Sequence, residues 1–110
     1  MKFSIITVVK NEISKIGLTI KSLKNQSFKD YEHIIFDGES TDGTSEFLKK
    51  ISNKKTLYFR EKDKSVYDAL NKSFKKAKGE YFIVLHSGDF FYSKHSLSIL
   101  SKSIDKYKNY

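Results

Sequence analysis

Several oxygen-bearing residues stand where an apolar run gives way to a loop. Asp37 follows Tyr31–Phe36 and precedes Gly38, and Asp89 closes Leu85-His86-Ser87-Gly88-Asp89. Asn11 and Glu12 come just after Phe3–Val9, and Asp63 lies in Glu61-Lys62-Asp63-Lys64. Carboxylates and amides of this kind suit a hard divalent cation, or the donor hydrogens of a base and a sugar. The glycine beside Asp37, and the one beside Asp89, let a ligand approach the backbone. Each acid also has a plain structural reading. Asp42 sits among N-cap residues in Ser40-Thr41-Asp42-Gly43-Thr44. Asp37 is placed to cap the next helix or bind loop amides, and Ser-Gly-Asp is a common turn sequence.

The elements that must hold these residues alternate along the chain. Phe3–Val9 is a continuous β-branched run and reads as a central strand. Ile13, Ile16, Ile20 and Leu23 then recur at helical spacing. Tyr31–Phe36 is a second strand, and Phe47, Leu48 and Ile51 mark a short helix. Thr56–Glu61 is a more polar strand. Tyr67, Leu70, Phe74 and Ala77 repeat the helical spacing, with Gly79 as a stop. Tyr81–Leu85 is apolar on both faces, and Ser93–Ile104 carries Leu97, Leu100 and Ile104 on one stripe. This βαβαβαβα order predicts an α/β domain with a mostly parallel sheet and helices on both faces. In such sheets ligands bind beyond the carboxyl ends of the strands, where strand order reverses. The acids above all fall at that edge.

Composition narrows the field. A chain of 110 residues makes one domain, and nine Phe and seven Tyr suffice for its core. There is no Cys, which excludes disulfides and thiolate metal sites and fits a reducing, cytoplasmic setting. No run reaches the ~20 apolar residues of a membrane span. The net charge is +8, yet only Arg60 among the 21 basic residues is an arginine. Ten of the basic residues precede Thr56 and eleven follow it, an even spread that reads as a solvated surface, not a nucleic-acid groove. Peripheral attachment to an anionic membrane face stays open. Dinucleotide fingerprint, P-loop and Gly-x-Ser-x-Gly elbow are all absent. His33, His86 and His95 show no metal-ligand spacing.

Taken together, the motifs resemble the inverting nucleotide-sugar glycosyltransferases of family 2, which have the GT-A fold. Ser4–Glu12 is similar to that family's first strand and Asn-containing loop, and Asn25-Gln26-Ser27 to the "NQS/T" after its first helix. Ile34–Thr44 is close to its "IIDGxSTDGT" segment, and Glu61–Lys72 to its "ExDxGxYDAxNKG". Ala77–Tyr81 and Leu85–Asp89 resemble its "AxGEY…LNSGD". Five weak motifs in order at family spacing make a strong match over nearly the whole chain.

The resemblance implies a GT-A-like, Rossmann-like donor-binding portion, with the acceptor-binding half and its catalytic base lying beyond Tyr110. On that reading Thr7, Val8, Val9, Asn11, Glu12, Asp37 and Asp63 line the nucleotide pocket. Asp68, Asn71, Ser87 and Gly88 support the loops or reach the donor sugar, and Asp89 holds Mn²⁺ or Mg²⁺ on the diphosphate. The implied partners are a nucleoside-diphosphate sugar, UDP-linked by default, and a saccharide or lipid-linked acceptor in bacterial glycan synthesis. The inner membrane face and a homodimer paired through an exposed sheet edge are further expectations, as is the alternative of a truncated, non-catalytic binding module. Three positions depart from the pattern. Ser87 stands where a fuller DXD motif has Asp, His86 where Asn is usual, and Ser65 where Gly is usual. A turn needing positive φ at Ser65 would be strained.

Overall fold

A computed structural model describes residues 1–62 and 64–107. Four strands, β1 (Phe3–Val9), β2 (Tyr31–Asp37), β3 (Thr56–Arg60) and β4 (Tyr81–Val84), alternate with four helices. The helices are α1 (Ile13–Lys24), α2 (Thr44–Ile51), α3 (Val66–Lys76) and α4 (Ser96–Tyr107). All strand pairs are parallel, in the order β3-β2-β1-β4. The α/β class and parallel sheet expected from the sequence are therefore present.

The chain steps outward from β1 to β3, then returns past β1 to place β4 on its other side. Right-handed crossovers require the helix of a reversed step to change face. Accordingly, α1, α2 and α4 cover one face and α3 the other. On the first face Phe3, Ile5, Leu85 and Leu97 form one buried cluster, and Val9, Ile16, Ile20, Ile35 and Leu48 another. On the second face Phe74 of α3 stacks on Phe82, and Lys76 lies over the Phe59 ring. Gly79 permits the chain to enter β4, because a Cβ there would lie 2.5 Å from the Ser4 backbone nitrogen.

Two expectations change. β4 is not buried on both faces: Phe82 is 51% exposed and Val84 38% exposed, because α3 lies over the middle of the sheet and reaches the β4 margin only through Phe74. In α3 the buried positions are Ala69 and Ser73, while Tyr67 is 79% exposed. The helix packs small residues against the sheet, so its aromatic start faces outward. Among the described residues no helix is long and apolar enough to cross a membrane.

Candidate functional site

The order reversal falls between β1 and β4, so the loops after these strands flank the crevice that the topology prepares. The loop after β4 is a tight turn. The Asp89 amide donates to the His86 carbonyl at 2.9 Å, and the His86 amide donates to Asp89 Oδ2 at 3.2 Å. Gly88 has φ +93°, the left-handed value that the third residue of such a turn demands. The other carboxylate oxygen of Asp89, Oδ1, has no partner among the described residues, and the side chain is exposed. Ser87 Oγ is buried and the only buried side-chain polar atom among the described residues without a hydrogen-bond partner.

This turn hangs from α1 by one hydroxyl. Thr19 is 0% exposed; its Oγ1 accepts from the Gly88 amide at 2.8 Å and donates to the Asp89 carbonyl at 2.8 Å. Ser22 and Gln26 continue the attachment, Ser22 Oγ accepting from the Phe91 amide and Gln26 Nε2 donating to the Ser93 carbonyl. The signal for Thr19 in the sequence is a hydroxyl inside the buried stripe Ile16, Ile20, Leu23. We predict that Thr19→Val, nearly isosteric, speeds hydrogen exchange at the Gly88 amide by roughly fivefold, a loss of about 1 kcal/mol of protection. Thr19→Ser should restore it. Unchanged exchange in Thr19→Val would show that the hydroxyl does not hold the turn.

The loops after β1 and β2 form one stitched unit. Asn11, at φ +53°, donates its amide to Ser40 Oγ and accepts the Thr41 amide on Oδ1 at 2.7 Å. The Glu12 amide donates to Thr44 Oγ1 and the Ile13 amide to Asp42 Oδ2. Asp42 also accepts from the Thr44 amide and hydroxyl, so it ties the starts of α1 and α2 together, although the N-cap position of α2 itself is Gly43. Glu39, at φ +65°, ion-pairs with Arg60 at 3.5 Å.

Asp37 is the anchor of this unit. It is 0% exposed. Its Oδ1 accepts from the Ser40 amide at 3.0 Å and the Ser40 hydroxyl at 2.6 Å, and its Oδ2 from Tyr58 at 2.7 Å and from Ser45. Burial pushes the carboxyl pKa up, but the Ser40, Ser45 and Tyr58 donors outweigh it and hold the group below its ordinary value. Burial first, then the bond to Asp37, pushes the Tyr58 phenol up to about 12. Both oxygens are engaged inside the protein, so in this structure Asp37 anchors the loop that follows β2.

The remaining expected residues divide. Thr7 and Val9 point into the core; only Val8 of the three is partly exposed. Thr7 Oγ1 donates to the Leu85 carbonyl at 2.7 Å and pairs with His33 Nε2 at 2.8 Å, linking β1 to the end of β4. Because the Thr7 proton is used on Leu85, Nε2 of His33 must be the donor. Asn11, Glu12 and Asp89 stand at the loop surface. Asp68 lines a cleft of about 540 Å³ with Lys62, Lys64 and Lys72, and Asn71 is exposed on the same helix. Asp68 accepts the Lys64 amide and pairs with Lys72 at 3.3 Å, while Lys72 also pairs with Glu61 at 3.2 Å. Asp63 lies outside the described residues. Ser65 is extended, φ −173°, and its hydroxyl accepts the Asp68 amide as the N-cap of α3. The strain expected at this position is absent because no left-handed residue is needed there. The described residues contain no cluster of three or more His, Asp or Glu able to cage a metal. Asp89 therefore fits only the mode in which one carboxylate shares an ion with phosphate oxygens and water.

A parallel α/β sheet with an Asp-bearing turn at its switch point has the architecture in which ligands bind beyond the strand ends, and comparison with known proteins gives its family. The model of glycosyl transferase family 2 matches residues 4–110, so the chain belongs to that family. A dolichyl N-acetyl-alpha-D-glucosaminyl phosphate 3-beta-D-2,3-diacetamido-2,3-dideoxy-beta-D-glucuronosyltransferase of Methanococcus voltae is 38% identical over 88 residues, 74% of this chain and 27% of that protein. An uncharacterized glycosyltransferase of Rickettsia bellii is 34% identical over 100 residues, 89% of this chain and 14% of the relative. In structure, S. aureus TarS 1-349 in complex with UDP-GlcNAc superposes with TM-score 0.90 at 27% identity, covering 98% of this chain and 32% of that one. The chain thus spans less than half the length of these proteins.

Proposed function

We propose that this chain is the donor-binding part of an enzyme that transfers a sugar from a nucleoside-diphosphate sugar, UDP-linked, to a saccharide or lipid-linked acceptor with inversion. The observation that carries the reading is the Asp89 carboxylate, offered with one open oxygen on a turn fixed at the topological switch point. The likeness to a TarS structure holding UDP-GlcNAc supports the choice of donor. Lys62, Lys64 and Lys72 give the cleft beside Asp68, after β3, a net positive lining suited to a diphosphate.

Breaking a sugar–phosphate bond builds negative charge on the departing diphosphate. A divalent ion shared between Asp89 and the phosphates would supply the Lewis acid that stabilises it. The protein's own contribution is positional. Asn11, Glu12 and Val8 border the crevice on the β1 side, with Asp37 holding their loop from beneath. Asp68 and Asn71 border it on the α3 side, and Ser87 and Gly88 present the backbone next to Asp89. The acceptor hydroxyl attacks from the opposite face and gives its proton to a carboxylate base. No described residue is placed for that base; Asp105 is occupied by Lys2 at the far end of the sheet.

Calorimetry with UDP and Mn²⁺ tests the assignment. Binding is expected with both present, and Asp89→Asn, which keeps an oxygen for the His86 amide, should weaken it roughly tenfold to a hundredfold. Mn²⁺ without UDP should bind far more weakly, since one carboxylate alone makes a poor site. Equal UDP affinity in Asp89→Asn and wild type would remove Asp89 from the site.

A further inference from the structure

Directly after Asp89 the chain runs down the outside of α1 as a strap. Its aromatic residues alternate. Phe91 turns inward against the Phe3–Leu97 core cluster, whereas Phe90 is 60% exposed and Tyr92 98% exposed. Leu18 of α1, 53% exposed, joins them on the wall of a groove of about 360 Å³. The charged residues lining that groove are Lys21 and Lys94, with no acid among them. Lys15 and Lys24 lie on the same exposed side of α1, and neither Ile13–Phe28 nor Phe90–Ile104 contains an Asp or Glu. The even spread of charge along the sequence thus hides a local groove whose charged lining residues are both lysines.

Three large apolar side chains set among lysines match the interface of an anionic bilayer. The rings and Leu18 suit the boundary between headgroups and acyl chains, and the ammonium groups suit the phosphates above it. A groove meant for a second copy of this chain would instead meet its own lysines across the contact, at a repulsive cost. We infer that the Leu18–Phe90–Tyr92 face docks on an anionic phospholipid surface, holding the Asp89 turn beside the membrane.

The protein contains no Trp. Tyr92→Trp therefore places a single reporter in the patch. On adding phosphatidylcholine vesicles with 30% phosphatidylglycerol, its emission is expected to shift to the blue and to be quenched by brominated lipids; phosphatidylcholine alone should give neither effect. In cosedimentation, Phe90→Ser with Tyr92→Ser should lower partitioning about tenfold at unchanged net charge, and Lys21→Gln with Lys94→Gln about tenfold. Lys49→Gln with Lys50→Gln, the same charge loss on exposed α2 positions, should change it less than about twofold. All these positions are exposed, and unchanged circular dichroism checks the fold. The inference is overturned if the aromatic pair has no effect, if the α2 pair matters as much as Lys21 and Lys94, or if the patch proves to be buried in a dimer by sedimentation without lipid. None of these readouts depends on donor binding, so its failure and that of the proposed function are separable.

Discussion

Asp37→Ala is expected to destabilise the protein by about 4 kcal/mol, lowering its thermal midpoint by roughly 15 °C. The substitution leaves the Ser40 amide and the Ser40, Ser45 and Tyr58 hydroxyls without their acceptor, all in a setting where Asp37 itself is wholly buried. Unmet buried donors cost more than the net worth of the bonds they made, which is why this effect exceeds an ordinary carboxylate deletion. Asp37→Asn should fall between, since its amide oxygen can still serve one set of donors while its NH₂ confronts the other. Urea unfolding provides the check; a loss below about 1 kcal/mol for the alanine variant would mean that water replaces the carboxylate readily.

A second large effect concerns acid. Burial pushes His33 down to about 3 from an ordinary 6.5, so the folded protein keeps this ring neutral. Below pH 6.5 the unfolded chain takes up a proton that the folded chain does not, and stability must fall as pH drops from 6.5 toward 3. The slope is about 1.4 kcal/mol per pH unit, giving a loss of about 2.7 kcal/mol by pH 4.5. Above pH 6.5 the His33 contribution is complete. Asp37, whose carboxyl is held low, contributes its own acid sensitivity beneath the ordinary carboxylate value of 3.8, so the two windows overlap only below that value. In His33→Gln the side-chain amide can donate to Thr7 Oγ1 as Nε2 does now. Unfolding midpoints for that variant should lose most of their slope between pH 6.5 and 4.5; a slope equal to wild type would assign the acid sensitivity elsewhere.

Much of this architecture was legible in the sequence because it is written in local patterns. The run Phe3–Val9 is apolar on both faces because β1 lies between β2 and β4 under helices on both sides. The same rule misled at Tyr81–Val84, where apolar residues on both faces meet a full cover on one side and only Phe74 on the other. Helix periodicity found α1, but α3 buries Ala69 and Ser73, residues too small to register as a stripe. The candidate site was legible as a set of strand ends and less so as a set of roles. That Asp37 would be enclosed depends on Tyr58, 21 positions away on another strand, and on hydroxyls whose orientation only the fold decides. Thr19 and Gly88 are 69 positions apart, and no spacing rule connects a helical threonine to a distant turn.

The stitched loops after β1 and β2 have a thermodynamic consequence. Ordering one residue's backbone costs about 1–2 kcal/mol of conformational entropy. Here the amides of Asn11, Glu12, Ile13 and Thr41 are already fixed by side-chain oxygens of the facing loop, and the Ser40 amide by Asp37 of its own loop. A ligand arriving on this side meets a surface whose disorder was removed during folding, so its contacts are converted into affinity with little loss. The turn at Asp89 hangs from far fewer bonds, and any ordering that accompanies binding should be concentrated there.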